Sequence, residues 1–233
     1  VVSPDGRKAI FARDYNLWIR DIVGASECQL TYDGEEDYAY GCAGSSWGVA
    51  PGSITLQVLW SPNSRNIFTV QRDRRRVKNL PVVHHVPDDN SIRPSVEFVK
   101  VAYPGDEFIE TLRLITIDVS KRHCRDVEYP QIPVTRNDWG LFSSNLGWWA
   151  KDSRRGYFVD VERDYKTASL VEFQADTGVT KILFQESSRT QVNLMLNADE
   201  LPTLMPLPET GELLWFSERS GWAHLYLYNL ETG

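Results

Sequence analysis

Gly44-Ser45-Ser46-Trp47-Gly48 has the spacing G-x-S-x-G, in which a serine on a strand-to-helix turn is presented as a nucleophile. That chemistry needs a helix directly after the serine, with its N-terminus turned toward the developing oxyanion. Here Val49-Ala50-Pro51-Gly52 follows, which stops a helix in its first turn, so the stretch reads as a loop. Glu35-Glu36 is a carboxylate pair of the kind that can hold an ammonium, but it lies in a DGEED turn. His84 and His85 are adjacent in an extended run and point to opposite faces, so that strand cannot offer both to one metal. His123 stands beside Cys124 with no second pair at metal-ligand spacing, and His224 lies in an aromatic strand as a packed or surface residue. Asp88-Asp89 lacks the alternation of a calcium loop. Cys28, Cys42 and Cys124 are odd in number, without C-x-x-C spacing, and read as free buried thiols. The expectation is no catalytic residue, no metal and no organic cofactor.

The elements around these residues repeat. Ser3-Pro4-Asp5-Gly6 is a tight turn in which Pro4 pre-sets φ, Asp5 bonds the backbone ahead and Gly6 takes the left-handed geometry. Strand-like KAIFAR and LWIRDI follow, separated by Asp14-Tyr15-Asn16, then a Gly24-Ala25-Ser26 turn and Glu27 to Thr31. The pattern returns at Trp60-Ser61-Pro62-Asn63-Ser64, at Trp149-Ala150-Lys151-Asp152-Ser153 and at Leu207-Pro208-Glu209-Thr210-Gly211. Small antiparallel sheets of this kind cannot bury both faces alone, and serial copies are the signature of a β-propeller. The expected fold is all-β, a partial β-propeller of four-stranded antiparallel blades. Its predicted parts are an incomplete blade at 1–33, an insertion at 34–53, a blade at 54–135, a blade at 143–185 and an incomplete blade at 203–233. The first lacks its innermost strand and the last its outermost. Three or so blades do not close a ring of roughly four to eight.

The second blade carries an insertion at 77–112, too long for a propeller hairpin and read as a projecting arm. Apolar Val101, Tyr103 and Pro104 mark an edge that another chain could pair with; folding back on its own blade is the competing reading. The 233 residues carry a formal charge of −7, against a nucleic-acid surface, and the basic run Arg72 to Lys78 reads as a solvated turn at a strand end. No stretch approaches the ~18 consecutive apolar residues of a membrane span, and no charged-then-apolar leader opens these residues.

SPDGRKAIFARDYNLWIRD, QLTYDGEEDYAYG, LWSPNSRNIF, VKVAYPGDE, RDYKTASLVEFQADTG and LLWFSERSGWAHLYLYNLETG, in collinear order, resemble the N-terminal propeller of the dipeptidyl peptidase IV group in the prolyl oligopeptidase superfamily. The resemblance implies a non-catalytic cap that gates and recognises the peptide substrate of a serine exopeptidase. Its Ser, Asp and His would lie in a downstream α/β-hydrolase domain, none of which is expected within these residues. It further implies a homodimer through the arm, and a glutamate pair for the substrate amine near Trp47 to Ala50, where this sequence reads WGVA. Strict dipeptidyl specificity is therefore not implied. The loop Cys42 to Ser53 is the candidate substrate-facing insertion, with Tyr40 just before it and Trp47 within it as the candidate substrate contacts, able to stack on a peptide side chain or else to fill space between blades. The compartment is not fixed; a bacterial source would favour periplasm or exterior over cytoplasm. A stand-alone scaffold propeller is the alternative, and a propeller glycosidase ranks last because ITLQVLW, the clearest inner strand, carries no acid.

Overall fold

The computed structural model describes residues 1–42, 56–86, 92–134, 141–142, 146–194 and 204–232. Among these residues the chain is all-β, a succession of antiparallel sheets without a helix. The first sheet is β1 (Lys8–Arg13), β2 (Asn16–Asp21) and β3 (Glu27–Gln29), and its missing innermost strand is reduced to a single Val2–Ala9 bridge. The second is four strands wide. Its inner edge is shared by β4 (Tyr38–Tyr40) and β5 (Val58–Trp60), which lie end to end along β6 (Asn66–Asp73). β9 (Thr111–Asp118) follows, and β10 (His123–Asp126) and β11 (Ile132–Pro133) share the outer edge. Between β6 and β9 the chain makes the two-stranded arm, β7 (Asn79–His84) paired with β8 (Ser95–Lys100).

The third sheet is a complete blade of β12 (Gly147–Trp149), β13 (Arg155–Val161), β14 (Thr167–Gln174) and β15 (Thr180–Ser187). The fourth has β16 (Leu204–Leu207), β17 (Glu212–Ser217) and β18 (His224–Asn229), so its outermost position is vacant among the described residues. Period-two alternation decides which seam each residue enters. In β6, Ile67 joins a cluster with Ile10, Leu17, Ile19 and Ile117 between the first two sheets. Its neighbours Phe68 and Val70 join the larger cluster with Phe158, Leu170 and Phe173. Phe68 packs 4.4 Å from Phe173, and the second and third sheets share that core.

Two repeated hydrogen bonds set the sheets side by side. The Asp5 N–H donates to Ser64 Oγ at 3.1 Å, and the Asn63 N–H donates to Ser153 Oγ at 3.1 Å. Ser64 (φ 58°) and Ser153 (φ 60°) occupy the left-handed position that Gly6 (φ 72°) fills in the first turn. Likewise the Trp60 indole donates to the Val1 carbonyl at 3.2 Å, and the Trp149 indole to the Leu59 carbonyl at 3.0 Å. Inside each turn Ser3 and Ser61 reach Asp5 and Asn63 at 2.6 and 2.8 Å, which fixes the loop that offers the N–H.

These turns gather at one end of the array. Connections there, such as Ser61–Arg65 and Ala150–Arg154, span five residues or fewer. From the opposite end the chain leaves for the arm, between Asp73 and Thr111, and there β11 and β15 end.

Because each serine tie is buried and made between sheets, Ser153→Ala is expected to lower stability by about 1 kcal/mol with the fold intact. Trp149→Phe, which keeps an aromatic ring but removes the donor and part of the buried volume, is expected to cost about 1–2 kcal/mol or more in denaturant unfolding. Unchanged midpoints in both variants would show the ties to be incidental.

Candidate functional site

The sequence expects its substrate-facing loop after Tyr40, and the structure shows how the residues on either side of 43–55 are held at the inner edge of the second sheet. Gly41 N–H donates to the Val70 carbonyl at 2.8 Å and the Gln57 N–H to the Gly41 carbonyl at 2.8 Å. The residues that flank 43–55 therefore meet halfway along the inner strand. Gly41 has φ 63°, and a Cβ there would fall 2.6 Å from Leu56 Cδ1, so glycine alone lets the two half-strands abut. Trp47 and the G-x-S-x-G stretch lie outside the described residues.

Tyr40 is buried at 4% exposure, and its hydroxyl donates to Asp33 Oδ1 at 2.6 Å. Burial, and then the Asp33 charge, hold its phenol well above the usual range. Arg113, from β9, completes a polar cluster, donating to Gln71 Oε1 at 2.8 Å and pairing with Asp126 at 2.6 Å and Asp33 at 3.7 Å. Tyr40 thus anchors the root of the loop through its hydroxyl. Arg113, Asp33 and Asp126 carried no local sequence signal; the β6–β9 register, Gln71 opposite Arg113, brings them together.

A second layer of charge joins this root to the arm. Each cation of the run Arg72 to Lys78 is engaged, so the run is a bracket and not a free basic patch. Arg72 pairs with Glu110, both largely buried, and its Nη2 lies 2.7 Å from Glu110 Oε2. Arg74 and Lys100 converge on Asp37, each at 2.7 Å. Arg75 takes Asp73 at 2.7 Å and Glu35 at 3.3 Å while lying over the Tyr38 ring. Arg76 covers the Phe108 ring, and Lys78 pairs with Asp106 at 2.9 Å. Glu35 is therefore occupied by Arg75, and Glu36 is exposed. Burial alone would push Asp37 up, but the Lys100 and Arg74 partners reverse this and hold its carboxyl below the ordinary value of 3.8.

Val101 is half-buried, while Tyr103 and Pro104 are exposed. All three stand at the base of the arm, where the Arg163 guanidinium, from the β13–β14 turn, donates to the Asp106 and Tyr103 carbonyls at 2.8 and 3.3 Å. The apolar surface farther out is Val83, Val96 and Phe98, the last 66% exposed. His84 pairs across the hairpin with Glu97 at 3.1 Å. The three cysteines are free; Cys28 and Cys42 are half-buried and Cys124 is exposed as a residue, although its thiol reaches the Leu30 carbonyl. Burial raises the Cys42 thiol above its ordinary value despite Arg72 and Arg74, and burial with Asp33 pushes Cys124 up to about 11. Among the described residues no three His, Cys, Asp or Glu side chains converge to hold a metal ion, and no helix is long and apolar enough to cross a membrane.

An all-β array of serial antiparallel blades, with a split inner strand and a hairpin arm, defines a partial β-propeller. The chain belongs to the family of the dipeptidyl peptidase IV (DPP IV) N-terminal region, which it matches over residues 1–233. It is 24% identical over 141 residues to proteins assigned as dipeptidyl-aminopeptidase B of Aspergillus oryzae and Aspergillus flavus, covering 55% of this chain and 15% of each relative. Among solved structures it resembles dipeptidyl peptidase 4 of Porphyromonas gingivalis, with TM-score 0.75 and 21% identity over 98% of this chain and 30% of that one. It also resembles a protein assigned as a dipeptidyl aminopeptidase IV from Bacteroides ovatus, with TM-score 0.65 and 19% identity over 98% of this chain and 28% of that one. The chain therefore spans less than a third of the length of each of these relatives.

Removing one partner of the largely buried pair is expected to be far costlier than removing an exposed one. Glu110→Ala should lose about 3 kcal/mol, against under about 1 kcal/mol for Lys78→Ala, in equilibrium unfolding. Asp37 has a depressed folded value, so its contribution is present above pH 3.8 and is lost as pH falls below it. Asp37→Asn should accordingly flatten the acid limb of the stability curve, and an unaltered limb would exclude that role.

Proposed function

We propose that this chain is the non-catalytic cap of a serine exopeptidase, gating and recognising peptide substrates for an α/β-hydrolase domain elsewhere in the polypeptide. The observation that carries this reading is the split inner strand. The half-strands β4 and β5 are held in register by Gly41, Val70 and Gln57, so segment 43–55 leaves the blade from its inner edge. Sheets of this kind present inner edges to the centre of the array, the route a substrate would use. The names of the relatives, all peptidases releasing dipeptides, favour a peptide as the ligand. Tyr40 contributes through the position of the loop root, and Trp47 is the proposed direct contact.

Replacing 43–55 by a short Gly-Ser linker in the full chain is expected to raise KM for X-Pro peptides with free amino ends about tenfold or more, an interaction of roughly 1.4 kcal/mol. Labelling of the catalytic serine by a fluorophosphonate should be unaffected. An unchanged KM overturns the recognition role, and equally strong cleavage of amino-blocked peptides excludes an amine clamp.

The arm is proposed to join two copies. An exposed two-stranded hairpin with Val83, Val96 and Phe98 on its surface is an unprotected edge, which pairing with a second arm would cover. Val101, Tyr103 and Pro104 would then hold the arm at its base. Phe98→Glu is expected to convert a dimer to a monomer in sedimentation at micromolar concentration; a dimer that survives it assembles elsewhere.

A further inference from the structure

The seam between the third and fourth sheets departs from the rule set by the first two. Leu207 stands where Trp60 and Trp149 stand and has no side-chain N–H to donate. Gly211 (φ 71°) stands where Ser64 and Ser153 stand and has no hydroxyl to accept a bond. Both repeated ties are thus absent from this turn. At this same place lies a cleft of ≈ 390 Å³, bounded by Trp148, Tyr157, Pro208, Gly211 and Leu230. Trp148 is the counterpart of Val1 and Leu59, whose carbonyls receive the indole bonds in the other seams.

Beneath the cleft Leu213 and Leu230 join the shared apolar core, and the polar contacts that span the seam at this end are ionic. Lys151 pairs with Glu209, and Arg155 with Glu231 at 3.4 Å. Lys151, Glu209 and Glu231 are 66%, 78% and 68% exposed, so each pair is weak and screened by salt. Arg155 also holds Asp152 at 3.1 Å and Glu172 at 3.7 Å on its own sheet. Losing Glu231 therefore leaves no unpaired cation behind.

The outer strands of the two sheets are joined by packing, and the opposite end of the seam by hydrogen bonds to Glu186. Phe184 stacks on Tyr228 at 4.2 Å and meets Trp215 edge-on at 5.0 Å. Glu186 accepts from the Trp215 indole at 2.8 Å and the Ser217 hydroxyl at 2.6 Å, with Arg219 3.4 Å away. Trp215 is fully buried.

We propose that the fourth sheet is hinged at Phe184 and Glu186 and latched by Lys151–Glu209 and Arg155–Glu231, making this the seam at which the array parts, with opening favoured by salt. The inference stands whether or not the chain caps a peptidase. Opening widens the existing cleft from the tight-turn end and leaves the aromatic hinge in place.

Amide hydrogen exchange on the full chain tests it. Raising salt from about 0.05 M to about 0.5 M, which shortens the screening length to a few ångströms, should speed exchange in β16 and at the Pro208–Gly211 turn at least about threefold, with β12–β14 unchanged. The double variant Leu207→Trp with Gly211→Ser supplies both ties; a Cβ at Gly211 meets nothing within 4 Å, and Ser64 and Ser153 adopt the same backbone. It should slow that exchange and remove its salt dependence. Equal exchange at both salt concentrations overturns the proposal. So does unchanged exchange in a folded double variant. Should that variant fail to fold, Glu209→Gln with Glu231→Gln decides instead. Fast, salt-insensitive exchange supports the latch, and exchange equal to the parent's overturns it.

Discussion

A single backbone conformation organises this protein: a residue held at positive φ in the turn that ends each inner strand. When that residue is serine, its hydroxyl is carried out of the turn to the N–H of the preceding sheet's turn. Local strain of this type costs on the order of 1 kcal/mol, which a buried hydrogen bond between sheets offsets. The indole bonds of Trp60 and Trp149 add a second constraint one residue before each turn. Together they fix the spacing of neighbouring sheets, and the apolar clusters fill the space so defined. The split strand, the charged bracket and the arm all hang from sheets whose relative placement is set at the tight-turn end.

The repeat was legible because its determinants are local. Ser-Pro-Asp-Gly and its degraded copies specify a turn through residues that touch one another, and alternation along KAIFAR or TASLVEFQ specifies strands. The arm was legible from its length, and its two strands pair as a separate hairpin between β6 and β9. The stretches that carry the family resemblance were legible for the same reason, and the match over residues 1–233 agrees with them.

The charged bracket was not legible. Arg72 meets Glu110 and Arg113 meets Asp33 because an intervening hairpin brings β9 beside β6, and no short window contains both partners. The run Arg72 to Lys78 looked like a solvated turn since charge runs usually are. Here four of its five cations are divided among acids from three segments, Glu35–Asp37, Asp73 and Asp106–Glu110, and Arg76 lies over Phe108. Tyr40 was read as an aromatic ring that stacks on a peptide or fills space between blades, and its hydroxyl contact with Asp33 needed the fold to be seen. The thiols illustrate the converse: spacing excluded a disulfide framework, but the reading of all three as buried is corrected, since Cys28 and Cys42 are half-buried and Cys124 is exposed as a residue with its sulfur turned inward.

The split inner strand has an evolutionary reading. β4 and β5 each pair with β6 independently, and Gly41 and Gln57 join them across the gap. A segment inserted at that point closes a loop whose ends are already fixed in contact. Lengthening such a loop twofold costs only about 0.6 kcal/mol. The blade can therefore exchange one insertion for another of different length and sequence while its register, its core and its ties to the neighbouring sheets stay as they are. Sequence change within this segment and the stability of the fold therefore become nearly separable traits, because the scaffold that carries the segment does not have to be rebuilt.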